Sequence, residues 1–292
     1  MKVAFMGAAL SAGGADPGCR HGPEVFFEQE YRRLRHRLRR DCHWAGVVRE
    51  NSQLGRRYPE GLPLVADSNR KLARRTARLR RGGLFPIVIG GDHSGAVGTW
   101  SGIASVRGRA MGLLWIDAHL DSHTPDTSES QRLHGMPLAA LLGEGDPALT
   151  GIAGFSPVID PRYCAIIGVR SFEAGEPVRL RRLGVRFYTR SEIWRRGLEA
   201  VVREAWQRVS ACPNGFGVSL DLDVLDPLLA SGVSVPERRG LHPGHLAATL
   251  SRQGRKHKLR GLEMVELNPA LDYRGETRRV MGPLLRALMH QR

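Results

Sequence analysis

Acidic residues are in short supply in this sequence. Against 44 lysines and arginines stand 29 aspartates and glutamates, a formal net charge of +15 over 292 residues. Cysteine is scarce too. Cys19, Cys42, Cys164 and Cys212 lie far apart and form no C-x-x-C pair, which argues against a zinc ribbon or a dithiol redox motif. Free, mostly buried thiols in a reducing cytoplasm are the expectation. No apolar stretch reaches the ~18 residues that a membrane span needs. Linkers, low-complexity tracts and internal repeats are missing as well, so residues 1–292 are expected to form one domain.

What is present reads as a soluble globular chain rich in turns, with 41% hydrophobic residues, 35 glycines and 17 prolines. The positive charge is nearly all arginine and gathers in two segments, Tyr31 to Arg40 and Arg70 to Arg81. Leu34 and Leu38 in the first, and Leu72 and Leu79 in the second, are spaced to share one helical face. Two readings follow: a solvated helix surface, or a surface for a polyanion such as nucleic acid. No DNA- or RNA-binding motif and no interleaved aromatics accompany the charge, which favours the first. At the N-terminus, Lys2, the apolar run Val3 to Leu10 and then Ser11-Ala12-Gly13 imitate a signal peptide. The run is short and Gly7 interrupts it, so a buried first strand entering a glycine-rich loop is expected.

Short apolar runs recur along the chain: Val3–Ala8, His43–Val48, Pro86–Gly91, Met111–Ala118, Tyr163–Val169, Val185–Tyr188, Phe216–Val224 and Leu259–Leu267. Helical patterns fall between them at Pro23–Arg40, Ser68–Arg81, Glu192–Val209, Pro243–Gln253 and Glu276–His290. Strands apolar on both faces that alternate with helices predict a three-layer α/β/α fold around a mostly parallel, roughly eight-stranded sheet. A closed eight-stranded barrel is the alternative. In open sheets of this kind ligands bind beyond the C-terminal strand ends.

Three clusters of ionisable residues fall at such ends. Gly90-Gly91-Asp92-His93-Ser94 closes one strand, and its glycines allow a sharp turn that brings the imidazole close to a ligand. Asp117-Ala118-His119-Leu120-Asp121 follows a buried strand, and on an extended chain its three ionisable groups share one face. Asp221 and Asp223 repeat that spacing after Phe216 to Val218, whereas Asp226 before Pro227 reads as turn chemistry. Ionisable groups converging at a buried strand end repel and are costly to desolvate unless a cation binds them. Four carboxylates and two imidazoles carry too much negative charge for one divalent ion and suit two. Oxygen-rich ligation without cysteine favours a hard ion such as Mn²⁺. Two such ions hold a shared water, lower its pKa to around neutral and present it to an electrophilic carbon. The chemistry implied is metal-assisted hydrolysis.

With these clusters in order along the chain, the sequence resembles the arginase (ureohydrolase) family. The similarity runs over almost the whole chain, from Phe5-Met6-Gly7-Ala8 and Gly22-Pro23, through Gly90–Ser94, Asp117–Asp121 and Ser219–Pro227, to Glu263–Pro269. The resemblance implies that His93 and Asp121 bind one Mn²⁺ and His119 and Asp223 the other, with Asp117 and Asp221 bridging. Co²⁺ or another divalent ion is an alternative occupant. It further implies that His134, in Leu133-His134-Gly135-Met136-Pro137-Leu138, is a proton shuttle, a role suited to a group titrating near working pH. Glu266, in Val265-Glu266-Leu267-Asn268-Pro269, would receive the guanidinium, since a carboxylate pairs bidentately with a planar cation. His134, Glu266 and Asp121 are thus the expected catalytic residues.

The amino-acid end of the substrate would meet His123, Ser130, Arg132 and Glu173. Ser130 stands where the family has a serine contacting the α-carboxylate. His123 and Arg132 each replace an Asn and still offer donors to a carboxylate. Glu173 stands where an Asp is usual, a carboxylate on a longer arm. Ser234-Val235-Pro236-Glu237 replaces the common Gly-Thr-Pro and so loses a hydroxyl near the guanidino pocket. The substrate implied is L-arginine, yielding L-ornithine and urea. The rivals are another guanidino acid such as 4-guanidinobutyrate, and agmatine, which is less favoured because Arg132 would face no carboxylate. A homo-oligomer, trimeric or hexameric, is what the family implies. From a different class comes a basic, metal-containing scaffold that holds nucleic acid. Against it stands the completeness of the six-residue site, since a scaffold alone has no use for all six ligands and the shuttle histidine.

Overall fold

The computed structural model of the chain describes residues 2–38, 40–51 and 57–290. Among these residues eight strands are present: β1 Val3–Ala9, β2 Cys42–Arg49, β3 Phe85–Gly90, β4 Met111–Ile116, β5 Ile159–Val169, β6 Arg186–Thr189, β7 Phe216–Asp221 and β8 Leu259–Val265. They form one sheet in the order β2-β1-β3-β8-β7-β4-β5-β6, and every neighbouring pair is parallel. All eight expected strands are found. The sheet is open, with β2 and β6 at its two ends, so the barrel alternative is excluded.

Side chains alternate between two cores, as the pleat requires. Val3, Phe5, Ile87, Ile89, Leu114, Ile116, Val218 and Leu220 face the layer that includes helices Leu198–Ser210 and Glu276–Met289. Met6, Val88, Leu113 and Trp115 point the other way, towards Leu72 on helix Leu62–Arg81 and Trp100 on helix Ala96–Ser105. Three layers result, as expected.

The helices depart from expectation where glycine and proline intervene. The second helix starts at Leu62 instead of Ser68, with Pro63 in its first turn, where a missing N–H costs nothing. The pattern over Glu192–Val209 is two helices, Arg190–Arg196 and Leu198–Ser210, separated by Gly197 at φ +83°. Pro23–Arg40 resolves into Gly22–Phe26, a single π-helical turn at Phe27–Tyr31, and Arg32–Leu38. Helix Ala96–Ser105 has no amphipathic signature because nine of its ten residues are buried. It runs against Leu62–Arg81 at close range: a Cβ on Gly102 would sit 2.0 Å from Thr76 Oγ1 and 2.2 Å from the Ala73 carbonyl.

The strand order places the site. The chain builds outward from β1 to β2 and from β4 to β6, then returns to fill the gap between β3 and β4 with β8 and β7. Four central strands, β3, β8, β7 and β4, therefore end side by side, and each carries chemistry at its C-terminal end.

Candidate metal centre and its cavity

His93 follows β3, Asp117 follows β4, Asp221 ends β7 and Glu266 follows β8. The turns beyond these ends, and not an extended chain, gather the remaining groups. β4 stops at Ile116, and Ala118 and His119 lie in a bend. Asp121 sits at φ +47°, in the left-handed region that few non-glycine residues enter. Asp223 lies in a 3-10 turn, Leu222–Val224, capped by the Asp221 carboxylate, which accepts from Asp223 N at 2.8 Å. The spacing by two residues thus brings the groups together, but by turn geometry. Glu266 is another site residue in that region, at φ +67°, fixed by its backbone N donating to Gly91 O at 2.8 Å.

His93 Nδ1 stands 3.1 Å from one oxygen of each of Asp117, Asp121 and Asp221, with no hydrogen bond aligned on it. His119 Nδ1 is 2.9 Å from Asp223 Oδ2 and 3.5 Å from Asp117 Oδ1. Among the described residues two groups able to hold a metal ion emerge, His93 with Asp117 and Asp221, and His119 with Asp117 and Asp223. Asp117 is the member common to both and is fully buried. A buried ring nitrogen facing three carboxylate oxygens without a hydrogen bond is an arrangement that a cation completes. The residues fit two divalent ions.

The electrostatics agree. Burial pushes the Asp121 carboxyl up to about 7, with the charge on Asp117 adding to it. Burial, followed by the charges of Asp223 and Asp117, holds Asp221 well above the usual carboxylate range. Asp223 is raised by burial and by Asp117. Asp117 goes the other way: burial opposes it, but His119 and His93 hold it below its ordinary value. Both imidazoles are raised against the effect of burial by the carboxylates around them.

Supports lie behind these groups. His93 Nε2 is 2.9 Å from Ser219 Oγ, which donates to Glu263 Oε2 at 2.8 Å, and Trp100 Nε1 donates to the same oxygen. Arg170 hydrogen-bonds the carbonyls of Gly168, Asp223, Val224, Leu225, Glu237 and Arg238, pinning three loops. Asp92 accepts from Gly13 N and Gly14 N, and Gly13 O accepts from His134 N at 3.0 Å.

Above the metal centre opens a cavity of about 380 Å³. It is lined by His93, His119, Asp121, Asp221 and Asp223, and by the other residues singled out from the sequence: His123, Ser130, Arg132, His134, Glu173 and Glu266. Only Asp117 lies beneath it. His134 Nδ1 is 3.6 Å from Glu266 Oε1, and the same oxygen accepts from His93 N at 2.9 Å. Burial works against a charged His134, but Glu266 more than offsets it and holds the imidazole above its ordinary value. Arg132 Nη1 donates to Gly14 O at 2.9 Å. His123 turns Nε2 to Glu176 Oε2 at 3.1 Å and Glu173 Oε2 at 3.4 Å, and Nδ1 to Thr127 Oγ1 at 3.3 Å.

Sequence reasoning missed Glu176, Glu237 and Glu263. Glu263 had a signal, an acid inside an apolar strand. Glu237 lines the cavity 3.7 Å from His119 Nε2, and the sequence marks its segment, Ser234-Val235-Pro236-Glu237, only by the hydroxyl lost there.

Comparison with known proteins gives the same picture. Residues 1–290 match the arginase family. The arginase of Bacillus caldovelox is 42% identical over 233 residues, covering 79% of this chain and 77% of the relative. That of Brucella melitensis biotype 1 is 32% identical, covering 99% of this chain and 96% of the relative. The solved structure of the Bacillus caldovelox arginase superimposes with a TM-score of 0.93 at 35% identity, covering all of this chain and 99% of that one. By the family match, the shared fold and the identity to these relatives, the chain belongs to the arginase family of ureohydrolases.

Proposed function

We propose that the protein hydrolyses L-arginine to L-ornithine and urea with two Mn²⁺ ions bound by His93, Asp117, His119, Asp121, Asp221 and Asp223. The observation that carries this reading is the pair of donor groups sharing Asp117 beneath a cavity that also holds His134 and Glu266. Two divalent ions bound there supply a water of lowered pKa as nucleophile for the guanidino carbon.

The chain's own residues do the rest. Glu266, its Oε1 held by His93 N, receives the guanidinium and turns its carbon towards the metal centre. Asp121 faces both His93 and the cavity, so its carboxylate reaches the substrate side of the site. A new C–O bond forms as the bond from carbon to the substrate's side-chain nitrogen breaks. His134, its pKa raised above the ordinary value beside Glu266, gives the proton that the departing amine needs. Arg132 and Ser130 receive the α-carboxylate, Glu173 lies towards the α-amino group, and His123 shapes that end of the cavity. Agmatine would leave Arg132 without a carboxylate partner.

Residues 1–292 form a single domain, and the protein assembles as a homo-oligomer, trimeric or hexameric, in the cytoplasm. Among the described residues no helix is long and apolar enough to cross a membrane. Urea release by Mn²⁺-loaded protein from L-arginine, agmatine, 4-guanidinobutyrate and guanidinopropionate tests the proposal. L-Arginine is expected to be a substrate and agmatine a poor one. Absence of urea from all four, together with steep salt-dependent retention on a polyanion column, would favour the nucleic-acid scaffold.

A further inference from the structure

The cavity is lined by seven acids, and most are already committed. Asp121, Asp221 and Asp223 belong to the metal centre, Glu266 is held by His93 N, and Glu237 faces His119. That leaves Glu173 and Glu176 to receive an ammonium group of the substrate. His123 lies against both, with Nε2 3.1 Å from Glu176 Oε2 and 3.4 Å from Glu173 Oε2.

This arrangement is built in. Glu176 Oε1 accepts from Ser122 N at 3.0 Å, and its Oε2 accepts from Glu173 N at 3.0 Å. The loop bearing His123 is tied by His123 N to Gly135 O at 3.0 Å and by Arg179 to Ser122 O and Thr124 Oγ1. The other ring nitrogen is turned to Thr127 Oγ1. His123 is thus aimed at the acid pair from a fixed loop, and neither ring nitrogen points unengaged into the cavity.

A site that hydrogen-bonds a substrate group rejects the analogue lacking that group because its own polar atoms are then left unpaired. Without the His123 imidazole, Glu173 and the acceptor capacity of Glu176 left over from Ser122 N and Glu173 N would depend on the substrate's ammonium in this way. Here the His123 imidazole lies against both acids whether or not the ammonium is there. We propose that His123 stands in for the α-ammonium group, so that this chain also hydrolyses ω-guanidino carboxylic acids lacking an α-amino group. The inference rests on the ureohydrolase reading above and names the substrate class for that site. The carboxylate requirement stays, since Arg132 still lines the cavity.

The decisive probe is 5-guanidinopentanoate, which is L-arginine without its α-amino group. Water adds to its guanidino carbon and the C–N bond breaks, giving 5-aminopentanoate and urea. For the Mn²⁺-loaded protein, kcat/KM for this acid is expected within about 10-fold of that for L-arginine, against the roughly 10⁴-fold penalty of a site that depends on the missing group. In His123→Asn the preference for L-arginine should grow by about 10-fold or more, while metal content stays unchanged. A wild-type preference above roughly 10³-fold overturns the inference, and so does a preference that His123→Asn leaves unchanged. Should His123→Asn not fold, the wild-type ratio decides alone. Absence of urea from both compounds would instead overturn the ureohydrolase reading itself.

Discussion

The imidazole of His93 lies flat against the indole of Trp115, ring centroids 4.0 Å apart and planes 9° from parallel. The same indole donates from Nε1 to Asp117 Oδ2 at 2.8 Å. One side chain from β4 therefore orients two residues of the metal centre, the first by stacking and the second by a hydrogen bond. Trp115→Phe keeps an aromatic face and removes the donor. Metal affinity, measured by competition with a chelator, is expected to fall about 10-fold to 100-fold, the usual cost of losing such a support. Unchanged affinity would mean that Asp117 is positioned by the backbone alone.

Asp221 separates binding from stability. Its buried carboxyl lies close to Asp223 and Asp117, so without a cation its charge is a burden on the fold. Asp221→Asn keeps an oxygen to accept from Asp223 N and removes the charge. The metal-free variant is expected to melt higher than the metal-free wild type, by about 2–4 °C per kcal/mol relieved. Addition of Mn²⁺ should then raise the variant's Tm far less than the wild type's. A variant that melts lower without metal and responds normally to Mn²⁺ would refute the assignment.

The same charges fix a pH dependence for the metal-free protein. Asp121 moves from an ordinary 3.8 to about 7 on folding, so the folded state holds that proton more tightly than the unfolded chain. Stability therefore falls as pH rises between these two values. His93 and His119 are raised above 6.5, so their contribution is complete below that value and is lost as pH rises through their higher folded values. Asp117 is shifted the other way, and its contribution is lost only in stronger acid. The metal-free Tm should fall from about pH 5 to about pH 8, while the gain on adding Mn²⁺ grows, because ligands bind metal deprotonated. A metal-free Tm that rises over this interval would contradict the charges described.

The strands were legible because each is a short apolar run, and a buried parallel strand has no polar face to confuse the pattern. His93, Asp117, His119, Asp121, Asp221 and Asp223 were legible because polar residues at buried strand ends stand out. Three things were not. The route by which Asp121 reaches His93 depends on a left-handed backbone that no spacing rule describes. Glu176 lies in the first turn of helix Gly175–Leu183 and Glu237 in a loop, and both reach the site through tertiary contacts, among them Ser122 N donating to Glu176 and the Arg170 hydrogen bonds to the Glu237 and Asp223 carbonyls. Helix Ala96–Ser105 escaped because burial on all sides erases the helical period.

That helix offers a test of the fold apart from the chemistry. Gly102 lets it approach helix Leu62–Arg81 so closely that a methyl group would overlap Thr76 Oγ1 and the Ala73 carbonyl. Backbone cannot step aside as a flexible side chain can. Gly102→Ala, which would otherwise favour a helix, is expected to destabilise by about 1–3 kcal/mol. Urea denaturation reads this as a lower midpoint with an unchanged slope. A stabilised variant would mean that the two helices are further apart than described.

His134 and Glu266 face each other at 3.6 Å, and their roles predict different kinetic signatures. His134 has its backbone anchored by Gly13 O, and its ring is not part of either metal group. His134→Asn is therefore expected to leave metal content and KM for L-arginine nearly intact while kcat falls about 10²-fold to 10⁴-fold, the worth of a positioned proton donor. Glu266→Gln retains an oxygen for His93 N but loses the charge proposed to pair with the guanidinium. Charge-assisted pairing holds substrate before the chemical step as well as during it, so KM should rise together with a loss in kcat. If His134→Asn instead raised KM at constant kcat, the histidine would bind substrate and the proton for the departing amine would have to come from elsewhere.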